Sequence, residues 1–270
     1  MAFLQLKDVS YSYPNGFQAV QHINMEFELG ESVAIIGQNG AGKTTTVKLM
    51  NALLKPTSGE VLINGESTSK FTTAQVSKKV GYVFQNPDDQ IFHSDIYSEI
   101  AFGPKNQKLS ASEVRERSLK AAEICGLTNW LEEHPYNLPY AMRKFITIAA
   151  IIAMDTAIII LDEPTAGQDR PATKRLVEII DYLTTQGKTV ITITHDMEFV
   201  ANNFNRVIVM AQKQVLSDAN AREVFWDHAL LRKSHLKQPY ISQLAHSLNL
   251  TEQIITIDEM TSALKRRIRS

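Results

Sequence analysis

The chain has 270 residues, a length at which one large α/β domain can form, alone or with appended segments. Its formal net charge is −1, which argues against nucleic acid as a partner, because duplex binding usually leaves a strongly basic surface. The single cysteine, Cys125, excludes an internal disulfide and a zinc–cysteine cluster and is compatible with a reducing cytosol. We interpret it as a small buried apolar residue.

The apolar pattern predicts no targeting or membrane-spanning segment. The first residues, MAFLQLKDVSYSY, lack the basic and apolar regions of a signal peptide. The most apolar stretch, residues 149–161, is interrupted by Asp155 and Thr156, well short of the roughly eighteen apolar residues that a spanning helix needs. We therefore expect a chain that does not span a membrane by itself. Attachment through a partner stays open.

The predicted elements alternate between strands and helices. Residues 3–29 alternate polar and apolar side chains around Asn15-Gly16, which predicts two antiparallel strands. Short apolar runs predict further strands at residues 32–37, 59–65, 80–85, 158–162, 189–195 and 206–211. Helical spacing predicts helices at residues 44–54 and 170–184 and throughout the block 91–153, where one helix is expected at 143–154.

Strands separated by helices predict a mostly parallel core sheet, behind an N-terminal antiparallel β-subdomain. The helical block 91–153 interrupts this alternation and predicts an inserted helical subdomain. We therefore expect an α/β fold with a main domain over 1–220 and a C-terminal helical extension over 221–270. In the extension, Pro239 begins one predicted helix, and a capping box at residues 256–259 begins the last. The residues predicted to share one face of the first are Ile241, Leu244, Ala245 and Leu248.

A glycine-rich loop, GQNGAGKT, lies between a predicted strand and a predicted helix. It runs from Gly37 to Thr44 and fits the pattern G-x-x-x-x-G-K-[ST]. Its glycines let backbone N–H groups face a polyphosphate, and the helix N-terminus adds the positive end of a dipole. Lys43 is predicted to reach the β- and γ-phosphates, and the Thr44 hydroxyl to bind Mg²⁺. The flanking elements disfavour a chance match.

Four polar side chains follow the ends of other predicted strands. Asp162 and Glu163 lie in ILDEP at the end of one predicted strand, and His195 ends TVITITH. Because parallel strands place their carboxyl ends at one edge of a sheet, we expect these groups beside the loop. Asp162 is predicted to hold the Mg²⁺ shell, and Glu163 to polarise the attacking water. His195 is predicted to contact the γ-phosphate, and Gln85, at the end of VGYVFQ, is a further candidate Mg²⁺ ligand and γ-phosphate sensor.

These motifs, in this order, resemble the ATP-binding cassette (ABC) family. Gln85 matches its Q-loop, LDEPTAGQD (161–169) its Walker B strand and D-loop, and ITHD (193–196) its switch histidine. The resemblance implies a P-loop NTPase cassette that uses ATP and Mg²⁺, with Glu163 and His195 catalytic and Tyr13 stacking on adenine. The predicted ATP-binding residues are Tyr13, Gly37, Gln38, Asn39, Gly40, Ala41, Gly42, Lys43, Thr44, Thr45, Gln85 and Asp162. The predicted Mg²⁺ ligands are Thr44, Gln85 and Asp162.

Two further segments are similar to the ATPase subunits of energy-coupling-factor (ECF) importers, which take up vitamins and transition-metal ions. They are FQNPDDQIF (84–92) and the tail with QPYISQLAHSL and TIDEMTSAL. The resemblance implies a peripheral subunit on the cytoplasmic face of the cell membrane. It also implies a dimer, often of two related ATPases, under a transmembrane coupling protein and a substrate-binding membrane protein. Helices of the membrane partner are expected to contact this chain at a groove between Gln85 and Phe102.

The segment LPYAM departs from the family pattern, which has LSGGQ here and uses it to bind the γ-phosphate of the partner's ATP. The degenerate signature consists of Leu138, Pro139, Tyr140, Ala141 and Met142. Pro139 removes a hydroxyl and a backbone donor, and larger residues replace both glycines. The helix dipole is expected to persist, because proline is tolerated in a first turn. Gln168 stands where the family usually has leucine in the D-loop.

These departures favour an asymmetric heterodimer, in which Glu163 and His195 face a partner's intact signature. A homodimer with two weakened sites, and a signature that tolerates these residues with little loss, are the alternatives. The alternatives to an importer subunit are a soluble non-transport ABC ATPase and a non-hydrolysing nucleotide-dependent regulator. The first usually brings a second cassette, a coiled-coil insertion or basic patches, and the second has no need of Glu163 and His195. The transported solute is not encoded here, because its specificity would lie in another chain.

Overall fold

The computed structural model describes residues 2–250 and 252–269; residues 1, 251 and 270 of the predicted domain ranges lie outside them. The strands are β1 (Leu4–Ser12), β2 (Gln18–Phe27), β3 (Ser32–Ile36), β4 (Ser58–Ile63), β5 (Glu66–Ser67), β6 (Val80–Val83), β7 (Ile158–Asp162), β8 (Thr189–Thr194), β9 (Arg206–Ala211) and β10 (Gln214–Asn220). The helices are α1 (Lys43–Met50), α2 (Thr73–Val76), α3 (Ile96–Asn106), α4 (Ala111–Cys125), α5 (Tyr140–Ala153), α6 (Arg170–Thr185), α7 (Met197–Asn203), α8 (Ala221–Trp226), α9 (His228–Ser234), α10 (Tyr240–Ser247) and α11 (Ile257–Arg269).

The N-terminal half contributes an antiparallel sheet in the order β2-β1-β4-β5. Its first hairpin turns at Gly16, which has a φ of 82° and whose N–H donates to the Tyr13 carbonyl at 2.9 Å. Glycine reaches this φ without steric cost. The predicted antiparallel pair around Asn15-Gly16 is confirmed, and Leu4 of β1 lies opposite Phe27 of β2.

The core sheet has six strands in the order β10-β9-β3-β8-β7-β6. β9, β3, β8, β7 and β6 run parallel to one another, and β10 pairs antiparallel with β9. Ile36 at the end of β3 lies opposite Thr194 at the end of β8, and Asp162 at the end of β7 lies opposite Ile193. The segments that follow β3, β8, β7 and β6 therefore leave the sheet side by side at one edge.

The core sheet separates two apolar layers. On β7, Ile158 and Ile160 pack with the antiparallel sheet, whereas Ile159 and Leu161 pack with the helices on the other face. This alternation follows from the two-residue period of a strand. All five residues of β7 are buried, which confirms the prediction of a strand covered on both faces.

The block predicted to be helical contains α3, α4 and α5, which pack on one another between β6 and β7 in the chain. α5 begins at Tyr140, so the predicted start at residue 143 was wrong by three residues. The reason is Pro139, which has a φ of −54° and a ψ of 152° and occupies the N-cap position. Proline fixes φ and offers no N–H, so it suits a position just before the first helical residue.

The C-terminal helices pack in two places. Phe225 of α8 and Leu231 of α9 are buried in the main core, so these two helices belong structurally to the cassette core. α10 and α11 enclose a small separate cluster around Ala245. Leu244 and Leu248, predicted to share an apolar face with Ala245, remain 46% and 37% exposed.

The last helix starts as its sequence predicts. The Glu259 N–H donates to Thr256 Oγ1 at 3.3 Å, and the Glu259 carboxylate accepts from the Ile255 N–H at 2.9 Å. Arg222 of α8 pairs with Glu259 at 2.5 Å, and this hydrogen bond lowers the pKa of Glu259. The pair joins α11 to the cassette core. Among the described residues, every helix is too short or too polar to cross a membrane.

Candidate active site

The phosphate loop connects β3 to α1, and two of its glycines are required by space and conformation. A Cβ built on Gly37 would lie 2.2 Å from the Met210 carbonyl oxygen of β9. Gly42 has a φ of 99°, and a Cβ there would lie 2.6 Å from Val20 Cγ1. Both distances exclude a larger side chain without movement of the backbone. The loop is therefore moulded against strands of both sheets.

Lys43 lies under the loop and bonds to its carbonyl groups. Its Nζ donates to the Gly37 oxygen at 2.6 Å and to the Gln38 oxygen at 3.1 Å. Desolvation by burial lowers the pKa of Lys43, while the charges of Glu163 and Asp162 oppose this shift. A polyphosphate would give this ammonium group stronger, charge-assisted partners than neutral carbonyls.

Asp162 ends β7 and is 2% exposed. Its Oδ2 accepts from the Tyr82 hydroxyl at 2.7 Å and from the Thr44 hydroxyl at 3.3 Å, whereas its Oδ1 is buried without a hydrogen-bond partner among the described residues. Burial raises the pKa of Asp162, and Glu163 adds to the rise, although both hydrogen bonds lower it. A divalent cation would satisfy Oδ1 and favour the charged carboxylate. Asp162 and Thr44 therefore fit the predicted Mg²⁺ site, and Gln85 borders the same cavity.

Glu163 and His195 form a hydrogen-bonded pair at the same edge of the sheet. His195 Nδ1 lies 2.9 Å from Glu163 Oε2. The Glu163 side chain is 8% exposed, whereas that of His195 is 69% exposed. Glu163 leaves the strand with a φ of 47°, in the left-handed region that a residue with a side chain rarely adopts. Strand alternation was predicted to direct the Asp162 and Glu163 side chains differently. The left-handed backbone at Glu163 adds to this difference.

A cavity of about 290 Å³ lies over Lys43, Asp162 and Glu163, and His195 is not among its lining residues. It is lined by Tyr13, Phe17, Ala19, Asn39, Gly40, Gly42, Lys43, Thr44, Thr45, Gln85, Asp162 and Glu163. Three predicted loop residues are not among them. Gln38 donates through Nε2 to the His235 carbonyl at 3.0 Å, Ala41 is buried, and the Cβ position of Gly37 faces β9. The side-chain positions of these three residues therefore do not line the cavity.

Two aromatic rings stand at the outer end of the cavity. Tyr13 stacks on Phe17 with ring centroids 6.5 Å apart, and its hydroxyl lies 3.3 Å from Thr45 Oγ1. Phe17 is 54% exposed, and Lys213 Nζ lies 4.5 Å from its ring centroid. Sequence reasoning named only Tyr13. Phe17, two residues after the turn asparagine, is a second candidate for stacking on a base.

We predict that Tyr13→Ala weakens ATP binding by roughly 5- to 100-fold, since stacking of a base on an aromatic ring contributes about 1–3 kcal/mol. Phe17→Ala is expected to cause a smaller loss, because its ring is more exposed. Titration with a fluorescent ATP analogue measures both. Tyr240→Ala, at a ring that is 75% exposed on α10, serves as the control. Unchanged affinity in Tyr13→Ala would remove Tyr13 from the base site.

The LPYAM segment lies outside this cavity, and its residues contact the chain's own D-loop. A Cβ built on Gly167 would lie 3.2 Å from Tyr140 Cε1, so the tyrosine ring rests against this glycine. Gln168 Nε2 donates to the Ala141 carbonyl at 3.2 Å. Leu138 is buried. Tyr140 and Gln168, which both depart from the family pattern, therefore each contact the other's segment within one chain.

Arg143 is held by the segment that follows Gln85. Its Nη1 donates to Asp88 at 2.7 Å, and its guanidinium lies between the rings of Tyr136 and Tyr140, at 5.1 and 5.5 Å from their centroids. The Arg143 guanidinium is therefore bound by groups of the same chain.

Sequence reasoning missed two groups that support the predicted site residues. Tyr82 lies inside β6 and binds Asp162, and Lys144 of α5 donates through Nζ to the Glu163 carbonyl. Neither belongs to a motif that was recognised. Tyr82 reads as one more apolar strand residue and Lys144 as one more helix lysine, so only the folded structure brings them to the carboxylates.

Comparison with known proteins places these motifs in a family. The sequence profile of the family described as ABC transporter matches residues 20–166, which contain the phosphate loop, Gln85, LPYAM and both carboxylates. The energy-coupling factor transporter ATP-binding protein EcfA of Methanothermobacter thermautotrophicus is 39% identical over 92% of this chain and 80% of its own length. EcfA of Methanococcus maripaludis is 36% identical over 100% of this chain and 99% of its own length.

Other relatives are longer. A protein of Caldanaerobacter subterraneus, named as an ABC transporter ATP-binding protein, is 40% identical over 97% of this chain. The chain spans 46% of that protein's length, and it spans the same share of a relative from Methanosarcina mazei that is 38% identical. It thus covers about half the length of these two proteins.

Solved structures share the fold. The structure of cbiO1 from Clostridium perfringens, described as part of the ABC transporter complex cbiONQ, matches with a TM-score of 0.78 and 32% identity over 91% of this chain and 99% of that one. A dimeric ATP-binding cassette solved in a post-hydrolysis state with ADP and Pi matches with a TM-score of 0.73 and 27% identity, over 81% of this chain and 98% of that one. The family profile, the EcfA relatives and the shared fold show that the chain belongs to the ABC transporter family.

Proposed function

We propose that this chain binds ATP with Mg²⁺ and hydrolyses it as a subunit of a membrane importer. The observation that carries the proposal is the Glu163–His195 pair, joined at 2.9 Å, in which Glu163 lines a cavity together with Lys43, Thr44 and Asp162. A phosphate binder alone needs the loop and the cation site. A general base held against a histidine is what hydrolysis adds.

Each group has a separate task in this mechanism. Lys43 and the loop N–H groups bind the β- and γ-phosphates. Thr44, Gln85 and Asp162 would hold Mg²⁺, which would neutralise charge on these phosphates. Glu163 accepts a hydrogen bond from the water that attacks the γ-phosphate. His195 holds the carboxylate in place through Nδ1 and contacts the γ-phosphate. The tasks differ because Asp162 is directed to the loop and Glu163 to the histidine.

The second part of the proposal is that the working unit is an asymmetric dimer. Pro139 offers neither hydroxyl nor N–H, and Tyr140 and Gln168 tie the LPYAM segment to the chain's own D-loop. A segment closed in this way is a poor clamp for a partner's nucleotide. The favoured arrangement is therefore a heterodimer with a related ATPase that supplies an intact signature to this chain's cavity.

The third part concerns the membrane. The EcfA relatives carry the name of an energy-coupling factor transporter, and we extend this role to the present chain. Phe92 and Phe102, 63% and 41% exposed, meet edge to face at 4.8 Å on the surface that follows Gln85. Such an exposed aromatic pair suits contact with helices of a transmembrane coupling protein. The chain would then work on the cytoplasmic face of the cell membrane, for uptake of vitamins or transition-metal ions by a separate substrate-binding protein.

Purification of the chain from native membranes in mild detergent tests the assembly. We expect a related ATPase, a coupling protein and a substrate-binding membrane protein to be recovered together with it. Recovery with ribosomes would favour a soluble non-transport ATPase instead.

In the purified complex, removal of the partner's Walker B glutamate is expected to leave most ATP turnover, because the cavity facing LPYAM contributes little. Equal losses from the two subunits would contradict the asymmetry.

A further inference from the structure

Lys144 is a buried charged residue that the proposed mechanism does not use. It lies on α5, two positions after LPYAM, and is 1% exposed. Its Nζ donates to the main-chain carbonyl of Glu163. Desolvation by burial lowers the pKa of Lys144 to about 8, although the charges of Glu163 and Asp162 pull it upward. An ammonium group in the interior is costly, so its placement against this one carbonyl calls for a function.

The Glu163 peptide is the place where such a contact has an effect. Its φ of 47° costs about 1–2 kcal/mol relative to a right-handed or extended conformation. Three hydrogen bonds hold it: the Glu163 N–H donates to the Ile193 oxygen at 2.8 Å, the Ala166 N–H donates to the Glu163 oxygen at 3.2 Å, and Lys144 donates to the same oxygen. The first two belong to the backbone. Lys144 adds a side-chain contact from α5, whereas the first bond joins Glu163 to β8 through the backbone.

The charge of Lys144 also helps to balance the negative charges of Asp162 and Glu163. Two buried lysines, Lys43 and Lys144, face the two carboxylates of Asp162 and Glu163, and the same pair of carboxylates acts on both lysines. When Lys43 turns to a phosphate, Lys144 still faces the carboxylates, together with the Mg²⁺ that Asp162 would hold. Charges in a low-dielectric site interact more strongly than in water, so this compensation bears on the orientation of Glu163.

We propose that Lys144 is a positioning residue for Glu163, and that it links the position of α5 to the catalytic geometry of the same subunit. The proposal rests on the hydrolytic function proposed for Glu163. α5 begins at LPYAM, the segment that faces the partner's nucleotide in a cassette dimer, and Lys144 lies about 3 Å along the helix axis from Met142. Because a helix moves as a rigid element, a displacement of its first turn displaces Nζ and, through it, the Glu163 carbonyl.

The test replaces Lys144 in the assembled complex. Lys144→Met keeps a long unbranched side chain and removes both charge and donors. We expect kcat to fall about 10- to 100-fold, since a misplacement of about 1 Å at a reacting group costs up to about 100-fold, while KM for ATP changes less than about 2-fold. Lys144→Arg, which keeps charge and donors, is expected to recover part of kcat. Lys120→Met, at a lysine that is 57% exposed and pairs with Glu123 on α4, is the matched control.

A double variant separates positioning from general support of the fold. If Lys144 acts through Glu163, Lys144→Met causes no further loss of turnover in a Glu163→Gln background, whereas a structural defect would lower turnover again. Unchanged kcat in Lys144→Met, with Glu163→Gln inactive, overturns the role of Lys144 and leaves the proposed hydrolysis intact. If the methionine variant does not assemble, Lys144→Gln and Lys144→Arg decide the matter: equal kcat in both overturns the proposal, and a lower value for glutamine supports it. Turnover that survives Glu163→Gln overturns the hydrolysis proposed for this chain and locates it in the partner's site.

Discussion

Glu163→Gln is expected to lower the ATP turnover of the assembled complex by about 100-fold or more, while ATP still binds. The amide is isosteric with the carboxylate and keeps an oxygen facing His195 Nδ1, so the 2.9 Å contact has a partner in the variant. It lacks the negative charge that polarises the attacking water, and general-base catalysis contributes roughly 100- to 10,000-fold. Phosphate release under saturating ATP measures the effect, and a binding titration shows that the cavity still fills.

Glu178→Gln provides the matched control for this variant. Glu178 lies on the exposed face of α6, and its Oε1 is 3.8 Å from Lys174 Nζ. Its replacement by glutamine is the same chemical change, made far from the cavity. Its turnover should equal that of the unaltered complex, because an exposed pair at this spacing contributes little. If the Glu163 variant retained full turnover, hydrolysis would be located in the partner's site and the proposed asymmetry would be reversed.

Lys43→Met is expected to weaken ATP binding by about 10- to 100-fold without destabilising the nucleotide-free protein. A charge-assisted hydrogen bond contributes about 1.5–3 kcal/mol, and the variant loses those that Lys43 would make to phosphate. The folded protein lowers the pKa of Lys43, so the protonated form is less favourable there than in the unfolded chain. At neutral pH this disfavours folding, and the loss of the charge removes the penalty. Methionine forgoes two bonds to loop carbonyls, which offsets part of that gain.

Calorimetric titration with ATP and thermal unfolding of the same samples separate the two effects. Lys55→Met, an exposed lysine beyond α1, is the control and should change neither quantity. Binding that persists at full strength in Lys43→Met would mean that the loop backbone alone holds the phosphates. A large fall in the unfolding temperature would show that the carbonyl contacts of Lys43 stabilise the loop more than its buried charge destabilises it.

The core sheet could be predicted where the sequence signal is strong. β7, with its run of isoleucine and leucine, has all residues buried, and only a strand covered on two faces produces such a run. β10 was not predicted, because an edge strand that is exposed on one side carries the mixed sequence QVLSDAN. α7, with the seven residues MEFVANN, is too short for a periodic signal. Tertiary placement, and not local preference, determines both.

The candidate site, like the fold, could be predicted from the sequence only in part. The residues that follow β3, β6, β7 and β8 were predicted together, since parallel strands bring consecutive motifs to one edge whatever their separation in sequence. Tyr82, Phe17 and Lys144 could not be found in this way. Each reaches the site through a contact between elements whose register only the fold determines, and each is of a residue type common in its local environment. The left-handed turn at Glu163 is likewise invisible in ILDEP.

The position of β3 in the core sheet has a consequence for synthesis of the protein. β3 carries the phosphate loop, yet its neighbours are β8 and β9, and the Met210 carbonyl that abuts Gly37 lies 173 positions later in the chain (210 − 37). At about 5–20 residues per second, a ribosome needs roughly ten to thirty seconds to make that stretch. For most of this interval β3 has neither of its sheet neighbours, and pairings of such long range are slow to form. The emerging chain therefore acquires its nucleotide site only after β9 has been made, well after the loop itself.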